Sequence, residues 1–422
     1  MTSSDQTTLI TGFSGFLGKR LTRALAQQDP ARRFALLVQE RSVDHAEQLV
    51  VRLDAAVKGF AKRCELVVGN LSERHFGLSD EKYDALRASV TQVWHLAALY
   101  DLSVEERVAY RANVVGTVNV LDFCERCARL EGLHYVSTCY VSGSRKGLIR
   151  EVELDEGQAF KNHYESTKFW AELEVQRRLP RIPTWIYRPG IVVGDSQTGE
   201  TDKYDGPYYL IKLLLRLPDT APTLNLGGEN ARVNIVPVDY AIRAMTTLAG
   251  LPNTQGRVYH IADPNPMRAH DIVAQMLKIM GKSPPLGQVH PLLLRAAMRS
   301  ASLQRLTEVP REALLYFNHD ARYDTTHTYE ALRDTPVRCP HLSTYLDTLI
   351  HFVERHPHQP PRRPPPPRAR TLGSPPAQTP RPAPAAAATP KPQRPRAPAK
   401  ARPAPTTATP PRPRWAARAP GT

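Results

Sequence analysis

Residues 8–18 read TLITGFSGFLG, and this stretch decides the fold. The apolar run at 8–11 predicts a buried strand, and the amphipathic pattern of 17–28 predicts the helix that follows. The three glycines between them are spaced as in a dinucleotide-binding turn. In such a turn Gly12 reverses the chain, Gly15 lets a pyrophosphate approach, and Gly18 packs the helix on the strand. Glycine turns without a ligand also join strands to helices, so the motif needs support from elsewhere in the chain.

The same alternation continues through the first 195 residues. Short apolar runs predict further strands at 34–38, 66–69, 93–98, 134–137 and 184–188, and the longest helical patterns between them cover 113–130 and 164–178. Strands that alternate with helices predict βαβ units. We therefore expect an α/β protein with a Rossmann fold, that is, a doubly wound parallel sheet.

Three regions follow from this pattern. We expect an NAD(P)-binding Rossmann domain over 1–195 and a smaller, mainly helical substrate-binding domain over 196–356. Helical patterns in the second domain cover 207–217, 269–280 and 291–298, and the first of these is unusually apolar. Two strand-like segments near 232–263, at 233–237 and 258–261, are expected to return to the sheet.

The third region is a Pro/Arg/Ala-rich tail over 357–422. It contains 22 of the 39 prolines and, with 11 Arg, 2 Lys and no acidic residue, 13 of the net +15 charges, so the rest of the chain carries only +2. With little apolar surface to bury, the tail is predicted to be disordered. The charge therefore does not indicate a nucleic-acid-binding body, although the tail itself is a candidate for contact with anionic lipid, nucleic acid or an acidic partner.

The remaining composition points to a protein of the cytoplasm. Five cysteines are too few and too scattered for a disulfide framework, and the pair Cys124 and Cys127 lies in a helical pattern without further metal ligands, so no metal site is predicted. The first strand begins too early for a secretion signal, and no apolar run has the length of a membrane span. We therefore expect a cytoplasmic location and no transmembrane segment.

A second motif, Tyr164-x-x-x-Lys168, supports the first. Residues four apart lie on one face of a helix, and an ammonium beside a phenol favours proton transfer near neutral pH. The pair Ser137-Thr138 ends a predicted strand about 26 residues upstream, which brings a hydroxyl into the same region. A tyrosine and a lysine on a helix surface are common, so the combination with the glycine turn carries the argument.

These motifs, in this order, resemble those of the extended short-chain dehydrogenase/reductases from about residue 7 to residue 356. The segments His95-Leu96-Ala97-Ala98, Asn113-x-x-Gly116-Thr117-x-Asn119 and Arg188-Pro189-Gly190 are similar to further motifs of that family. The resemblance implies that Thr138, Tyr164 and Lys168 form the catalytic set, with Ser137 as the adjacent alternative to Thr138. It also implies that Asn113 braces the active-site strand.

The resemblance further implies a nicotinamide cofactor. The residues expected to bind it are Gly12, Ser14, Gly15, Phe16, Leu17, Gly18, Arg41, Asn70, Leu71, Ala97, Ala98, Asn113, Lys168, Pro189 and Ile191. At the end of the second strand, Glu40 suits the ribose hydroxyls of NAD, whereas Arg41 suits the 2′-phosphate of NADP. Because Lys19 and Arg20 add positive charge after the glycine motif, NADP is predicted, with NAD as the alternative. Asn70 stands where related proteins carry Asp.

Three groups of the superfamily compete for the reaction: sugar-nucleotide epimerases, sterol-type dehydrogenases and thioester reductases. The segments Ser137–Gly143 and Val233–Tyr240, which read STCYVSG and VNIVPVDY, resemble those of thioester and fatty acyl-CoA reductases. We therefore expect reduction of an acyl thioester, carried by CoA or by an acyl-carrier protein, to the aldehyde or alcohol. The chain offers no room for an adenylation domain, so the acyl group is expected to arrive already activated. A dehydrogenase of sterol-like or other apolar alcohols is the runner-up, followed by a sugar-nucleotide enzyme.

Overall fold

Seven parallel strands form the central sheet of this protein, whose computed structural model describes residues 6–101, 104–220, 223, 231–285, 287 and 319–357. The described strands are β1 (Thr7–Thr11), β2 (Arg33–Val38), β3 (Cys64–Val68), β4 (Val90–His95), β5 (Gly132–Val136), β6 (Gly147–Ile149), β7 (Thr184–Pro189), β8 (Ile191–Val193), β9 (Ile235–Pro237), β10 (Val258–Ile261) and β11 (Ala321–Tyr323). The sheet has the order β10-β7-β5-β4-β1-β2-β3, and the pairs β6–β11 and β8–β9 form two small parallel sheets.

Helices cover both faces of the sheet. The described helices are α1 (Phe16–Gln28), α2 (Val43–Ala56), α3 (Asp80–Ser89), α4 (Glu106–Tyr110), α5 (Gly116–Arg126), α6 (His163–Arg177), α7 (Pro207–Arg216), α8 (Val238–Gly250), α9 (Ala269–Ile279), α10 (Thr326–Leu332) and α11 (Leu346–Arg355). Apolar side chains of α1, α2 and α8 pack on one face, and those of α3, α5 and α6 pack on the other. The predicted fold class, a doubly wound parallel α/β sheet of the Rossmann type, is confirmed.

The strand order places a ligand site at the carboxyl ends of β1 and β4. From β1 the chain winds outward through β2 and β3, then returns to the other side of β1 to add β4, β5, β7 and β10. At such a reversal the connecting loops diverge and leave a crevice beyond the strand ends. The glycine turn after β1 and the segment after β4 both lie at this crevice.

A third apolar cluster is formed mainly by the second half of the chain. It joins α7, α9 and α11 to the strands β8 and β9. Residues Tyr208, Leu210, Ile211 and Leu214 of α7 are buried in it, so the apolar character of this helix is explained by the core. The boundary between a cofactor domain and a substrate domain at residue 195 stays a prediction, and so does the tail over 357–422.

Two predicted elements differ from the structure. Strand β4 covers Val90–His95 rather than 93–98, because pairing with β1 ends at Thr11 and His95, and the next residues cross over Gly12. The predicted helix 113–130 begins within a π-helical turn, Arg111–Val115, and its regular part ends at Arg126. The predicted helix 291–298 lies outside the described residues. None of the described helices is long and apolar enough to cross a membrane.

Candidate active site

Tyr164 lies in the first turn of α6, whose start is fixed by side chains on both sides of it. The Asn162 side chain caps the helix by accepting a hydrogen bond from the backbone N–H of Glu165 at 2.9 Å, and the Glu165 carboxylate accepts one from the backbone N–H of Lys161, also at 2.9 Å. The arrangement is close to a capping box, except that the carboxylate accepts from the residue before the N-cap rather than from the N-cap itself. It holds the backbone on either side of Tyr164 while leaving the tyrosine itself half-buried.

One turn further along α6, Lys168 is buried against the end of β5. Its ammonium donates hydrogen bonds to the Tyr135 hydroxyl at 3.0 Å and to the carbonyl oxygen of Val136 at 2.8 Å. Burial lowers the pKa of Lys168 to about 7, and the charge of Glu172 acts in the opposite direction. Within the described part of the chain, these contacts use two of the three N–H groups of Lys168 and leave one for a ligand.

The two adjacent hydroxyls at the end of β5 have different surroundings. Ser137 donates a short hydrogen bond to the buried carboxylate of Glu172, which also pairs with Arg188 at 2.6 Å. Thr138 instead lies near Tyr164, and its hydroxyl is 3.5 Å from the carbonyl oxygen of Pro189. The structure thus brings Thr138 together with Tyr164, one turn from Lys168, and it ties Ser137 to the ion pair of Glu172 and Arg188.

The phenol of Tyr164 is held in its neutral form by its surroundings. Burial raises the pKa of Tyr164 above its usual value, and a hydrogen bond with the Thr138 side chain acts in the opposite direction. The ring of Tyr100 stands edge-on to that of Tyr164, with 4.8 Å between the centroids, and Lys203 lies over the ring of Tyr100. A neutral phenol at this position is suited to donate a proton.

Asn113 connects the segment after β4 to α6. Its side chain accepts from the backbone N–H of Leu99 at 2.7 Å and donates to the Leu99 carbonyl and to the Thr167 hydroxyl at 3.0 Å. Asn113 lies within the π-helical turn before α5, and such turns re-aim side chains at functional sites. The residue therefore braces the loop after β4 and the helix that carries Tyr164 and Lys168.

The glycine turn has the close contacts expected of a dinucleotide-binding loop. Gly12 has a φ of +77°, and a Cβ there would lie 2.7 Å from the backbone nitrogen of Ala97. A Cβ on Gly18 would lie 2.0 Å from the carbonyl oxygen of Gly12, so only glycine lets α1 pack on the turn. Gly15 precedes α1 as its cap, and the N-terminus of a helix favours a phosphate. These features fit a nicotinamide dinucleotide.

The structure corrects the expectation about Lys19 and Arg20. Lys19 pairs with Asp202 at 2.6 Å, and Arg20 pairs with Asp202 at 2.9 Å and with Glu200 at 3.2 Å. Both cations are therefore neutralised by the segment after β8 and add no charge for a cofactor phosphate. Arg41 is exposed in the turn after β2, where its Nε donates to Gln39 at 2.9 Å. Of the three predicted cations, Arg41 alone has no carboxylate partner among the described residues, so it stays the candidate for a 2′-phosphate.

The other residues predicted to bind the cofactor line the same edge of the sheet. Asn70 uses its side chain locally, accepting from the backbone N–H of Ser72 and donating to Glu73, and Leu71 packs against Gly116. Ala97 and Ala98 follow β4, and Pro189 and Ile191 lie at the junction of β7 and β8. The remaining predicted residues of the turn, Ser14, Phe16 and Leu17, are half-buried at the start of α1.

Two residues near Lys168 were not predicted from the sequence. Tyr135 touches its ammonium directly, and Glu172 lies one further turn along α6. The spacing Tyr164, Lys168, Glu172 repeats every four residues, so the continued helix face was a usable signal for Glu172. No sequence motif marks Tyr135, whose position depends on the pairing of β4 with β5.

Cys124 and Cys127 are buried in the apolar cluster that α3, α5 and α6 form on the sheet. Burial raises the pKa of Cys124 well above its usual value and that of Cys127 to about 12, so both thiols stay protonated. Among the described residues, no group of three or more His, Cys, Asp or Glu side chains is placed to hold a metal ion.

This fold and this arrangement of side chains define an NAD(P)-dependent oxidoreductase of the extended short-chain dehydrogenase/reductase class. The family model described as "Male sterility protein" matches residues 10–245, which is more than half of the chain. The chain belongs to this family, within the thioester reductase group of the extended short-chain dehydrogenase/reductases.

Similar proteins and structures agree with this placement. The crystal structure of the terminal R domain from the myxalamid PKS-NRPS biosynthetic pathway has a TM-score of 0.70 and 27% identity, with 84% of this chain and 92% of that chain covered. The non-canonical nonribosomal peptide synthetase FrzA of Cladobotryum sp. is 29% identical over 81% of this chain and 36% of its own length. Aldehyde reductase lnaA of Aspergillus flavus is 28% identical over 78% of this chain and 34% of its own length. The chain thus spans about a third of the length of both curated relatives.

Proposed function

We propose that this protein reduces an acyl thioester to an aldehyde or alcohol, using NADPH. The observation that carries the proposal is the grouping of Thr138, Tyr164 and Lys168 beside the glycine turn, in a chain that covers 92% of a terminal R domain. The name of the relative lnaA, an aldehyde reductase, supports the same chemistry. The site residues and their roles are part of the proposal.

The reduced cofactor supplies the hydride for this reaction. Gly12, Gly15 and Gly18 would hold its pyrophosphate at the start of α1, and Arg41 would pair with the 2′-phosphate of NADP. The free N–H of Lys168 would bind the nicotinamide ribose. With Glu40 beside Arg41 on the same exposed turn, NAD remains the alternative cofactor.

The protein's own groups act on the substrate oxygen. As the carbonyl carbon becomes tetrahedral, the hydroxyls of Thr138 and Tyr164 would hold the negative charge that develops on its oxygen. Donors that are already oriented, in a site shielded from water, stabilise such a charge more than water does. Loss of the thiol then gives an aldehyde. In a second reduction Tyr164 would donate its proton to the aldehyde oxygen, with Lys168 stabilising the phenolate that remains.

The more specific part of the proposal is the group to which the acyl chain is bound as a thioester. Relatives of this chain include a protein named as a nonribosomal peptide synthetase, FrzA, and an R domain of a PKS-NRPS pathway. A thioester on a carrier protein is therefore the first substrate to test, and acyl-CoA is the second. We further propose a cytoplasmic location. Contact of the basic tail with an anionic lipid, a nucleic acid or an acidic partner stays a prediction.

Release of the thiol tests the reaction directly. Purified protein is incubated with NADPH and with acyl-CoAs or acyl-carrier proteins of varied chain length, and free thiol is measured together with the loss of NADPH absorbance. Thiol should appear in step with cofactor oxidation, and the Tyr164→Phe variant serves as the control. The thioester proposal is wrong if no thiol is released from any of these while the protein oxidises a sterol or another apolar secondary alcohol with NADP⁺.

A further inference from the structure

Three side chains form a polar row across the carboxyl ends of neighbouring strands. Thr11 of β1 lies beside His95 of β4, and His95 lies beside Tyr135 of β5, each pair in register. Residues in register on parallel strands point to the same face of the sheet. The row continues into apolar residues on both sides, Leu37 of β2 and Ile186 of β7. All three polar side chains are almost completely buried, so each needs a hydrogen-bond partner inside the protein.

Hydrogen bonds join this row to Lys168 without a gap. Tyr135 accepts from the ammonium at 3.0 Å, and its hydroxyl is also within hydrogen-bonding reach of the side chains of Thr117 on α5 and of Ser137. Thr117 lies 3.0 Å from Nε2 of His95, and Nδ1 of His95 lies 2.7 Å from the Thr11 hydroxyl. Thr11 accepts from the backbone N–H of Ala97 at 3.2 Å, at the point where Ala97 crosses Gly12.

The directions of most hydrogen bonds in this chain follow from the chemistry of the groups. An ammonium only donates, so Tyr135 accepts from Lys168, and its own hydrogen can go to Thr117 or to Ser137, because both of these donate elsewhere. Thr117 donates to the carbonyl oxygen of Asn113 at 2.6 Å, so it accepts from Nε2 of His95. Nδ1 of His95 then accepts from Thr11. Burial lowers the pKa of His95 to about 3 and raises that of Tyr135 well above its usual range, so both stay neutral at physiological pH.

We propose that Tyr135 is a positioning residue for Lys168, and that the chain Tyr135–Thr117–His95–Thr11 connects Lys168 to the cofactor-binding turn. This inference rests on the proposed function, because it assumes that Lys168 acts on the cofactor. Tyr135 and the carbonyl oxygen of Val136 hold two N–H groups of the ammonium inside the protein, so that the third is left for a ligand. They also favour the charged form of the lysine, since each acceptor stabilises the ammonium.

Among the described residues, few titratable groups face Lys168. On its own helix these are Tyr164 and Glu172, and from the sheet they are Tyr135 and His95. Glu172 is paired with Arg188 and bonded by Ser137, which fixes its position. The protonation of Lys168 therefore depends on burial, on Glu172 and on the hydroxyl of Tyr135, and the last of these can be removed without a change of charge.

The test is the pH dependence of NADP⁺ binding, measured by calorimetry on the full chain. An inflection that is lost in Lys168→Ala is assigned to Lys168. In Tyr135→Phe, which keeps the buried ring, this inflection should move down by about one pH unit, because a hydrogen bond to a charged group is worth about that much. Thr117→Val should move it in the same direction by less. The same shift is expected in the basic limb of the turnover profile.

Tyr187→Phe is the matched control. Tyr187 is also a fully buried tyrosine of the sheet, but it lies on the opposite face and hydrogen-bonds His134 at 3.1 Å. This variant should lose stability without moving the inflection. If the inflection in Tyr135→Phe lies at the same pH as in the wild type and in Tyr187→Phe, Tyr135 is not a positioning residue for Lys168. Retention of turnover in Lys168→Ala would overturn the role given to Lys168, and absence of thiol release from every acyl substrate would overturn the proposed function, so the failures are distinguishable.

Discussion

Ser137 donates its hydroxyl to Glu172, while the next residue, Thr138, places its hydroxyl near the phenol of Tyr164. Adjacent residues at the end of a strand point to opposite sides, and here each side has its own partner. On one side Glu172 and Arg188 form a fully buried ion pair. On the other side the hydroxyl of Thr138 lies beside the phenol of Tyr164, and we propose that the two together meet the substrate oxygen. The sequence motif leaves these two residues as alternatives, and their partners distinguish them.

We predict opposite consequences for substitutions at these two positions. Thr138→Val should lower kcat by about 10²–10³, because it removes one hydroxyl from the charge-stabilising pair. Thr138→Ser keeps the hydroxyl and should retain most turnover. Ser137→Ala should leave kcat nearly unchanged and cost about 1 kcal/mol of unfolding free energy, since Glu172 keeps its bonds to Arg188. Steady-state kinetics and thermal unfolding of the three variants test this prediction. A large loss of kcat in Ser137→Ala alone would show that Ser137, and not Thr138, is the catalytic hydroxyl.

Tyr164 and Lys168 should each be required for turnover. Tyr164→Phe removes the proton donor and Lys168→Ala removes the group that stabilises it, and such acid–base contributions are worth about 10²–10⁴ in rate. Both variants should keep the circular dichroism spectrum of the wild type. Tyr100→Phe, which preserves the edge-on ring beside Tyr164, is a control expected to retain turnover. Wild-type activity in Tyr164→Phe is incompatible with the proposed mechanism.

The pKa of Lys168 predicts how activity depends on pH. Burial lowers this pKa to about 7, so the lysine loses its proton as the pH rises through neutrality. Because the protonated form supports Tyr164, kcat/KM for NADPH, which reports the free enzyme, should fall on the alkaline side of about pH 7. Lys168→Arg provides the comparison, since a guanidinium stays protonated. The pH profile of Lys168→Arg should lack the fall on the alkaline side, whatever its absolute rate. If the fall is unchanged in this variant, another group is responsible for it.

Cofactor preference should depend on Arg41. Arg41→Ala should weaken the binding of NADPH by about tenfold or more and leave NADH binding nearly unchanged, because only NADPH carries the 2′-phosphate that an arginine binds. Arg20→Ala is the matched control, since Arg20 already pairs with Asp202 and Glu200. It should not change the ratio of the two affinities. Titration with both cofactors measures this ratio, and tighter NADH binding in the wild type would indicate that Glu40 governs the choice.

Local patterns in the sequence were enough to predict the fold class and the shared location of the catalytic candidates. The glycine turn, the end of β5 and the first turns of α6 are each marked by residues close together in the chain. The prediction for Lys19 and Arg20 was wrong because their partners, Glu200 and Asp202, lie about 180 residues away in the chain. Tyr135 was not predicted for a similar reason, since its contact with Lys168 depends on strand order and helix packing. Long-range pairing of charges and hydroxyls has no local signature.

The basic tail should be dispensable for folding and for turnover on a free acyl-CoA. Residues 358–422 lie outside the described part of the chain, whereas the buried clusters end at Val353 of α11. A chain that stops at His356 retains all of α11, including the hydrogen bond from the Tyr204 hydroxyl to the carbonyl oxygen of His356 at 2.6 Å. It should therefore unfold at the same temperature as the full chain.

The tail carries 13 positive charges and no acidic residue. The full chain should therefore bind anionic vesicles or acidic proteins, and added salt should weaken this binding. That binding should be absent from the truncated chain. A truncated chain that fails to fold would contradict the predicted boundary, and equal vesicle binding by both chains would show that the tail makes no such contact.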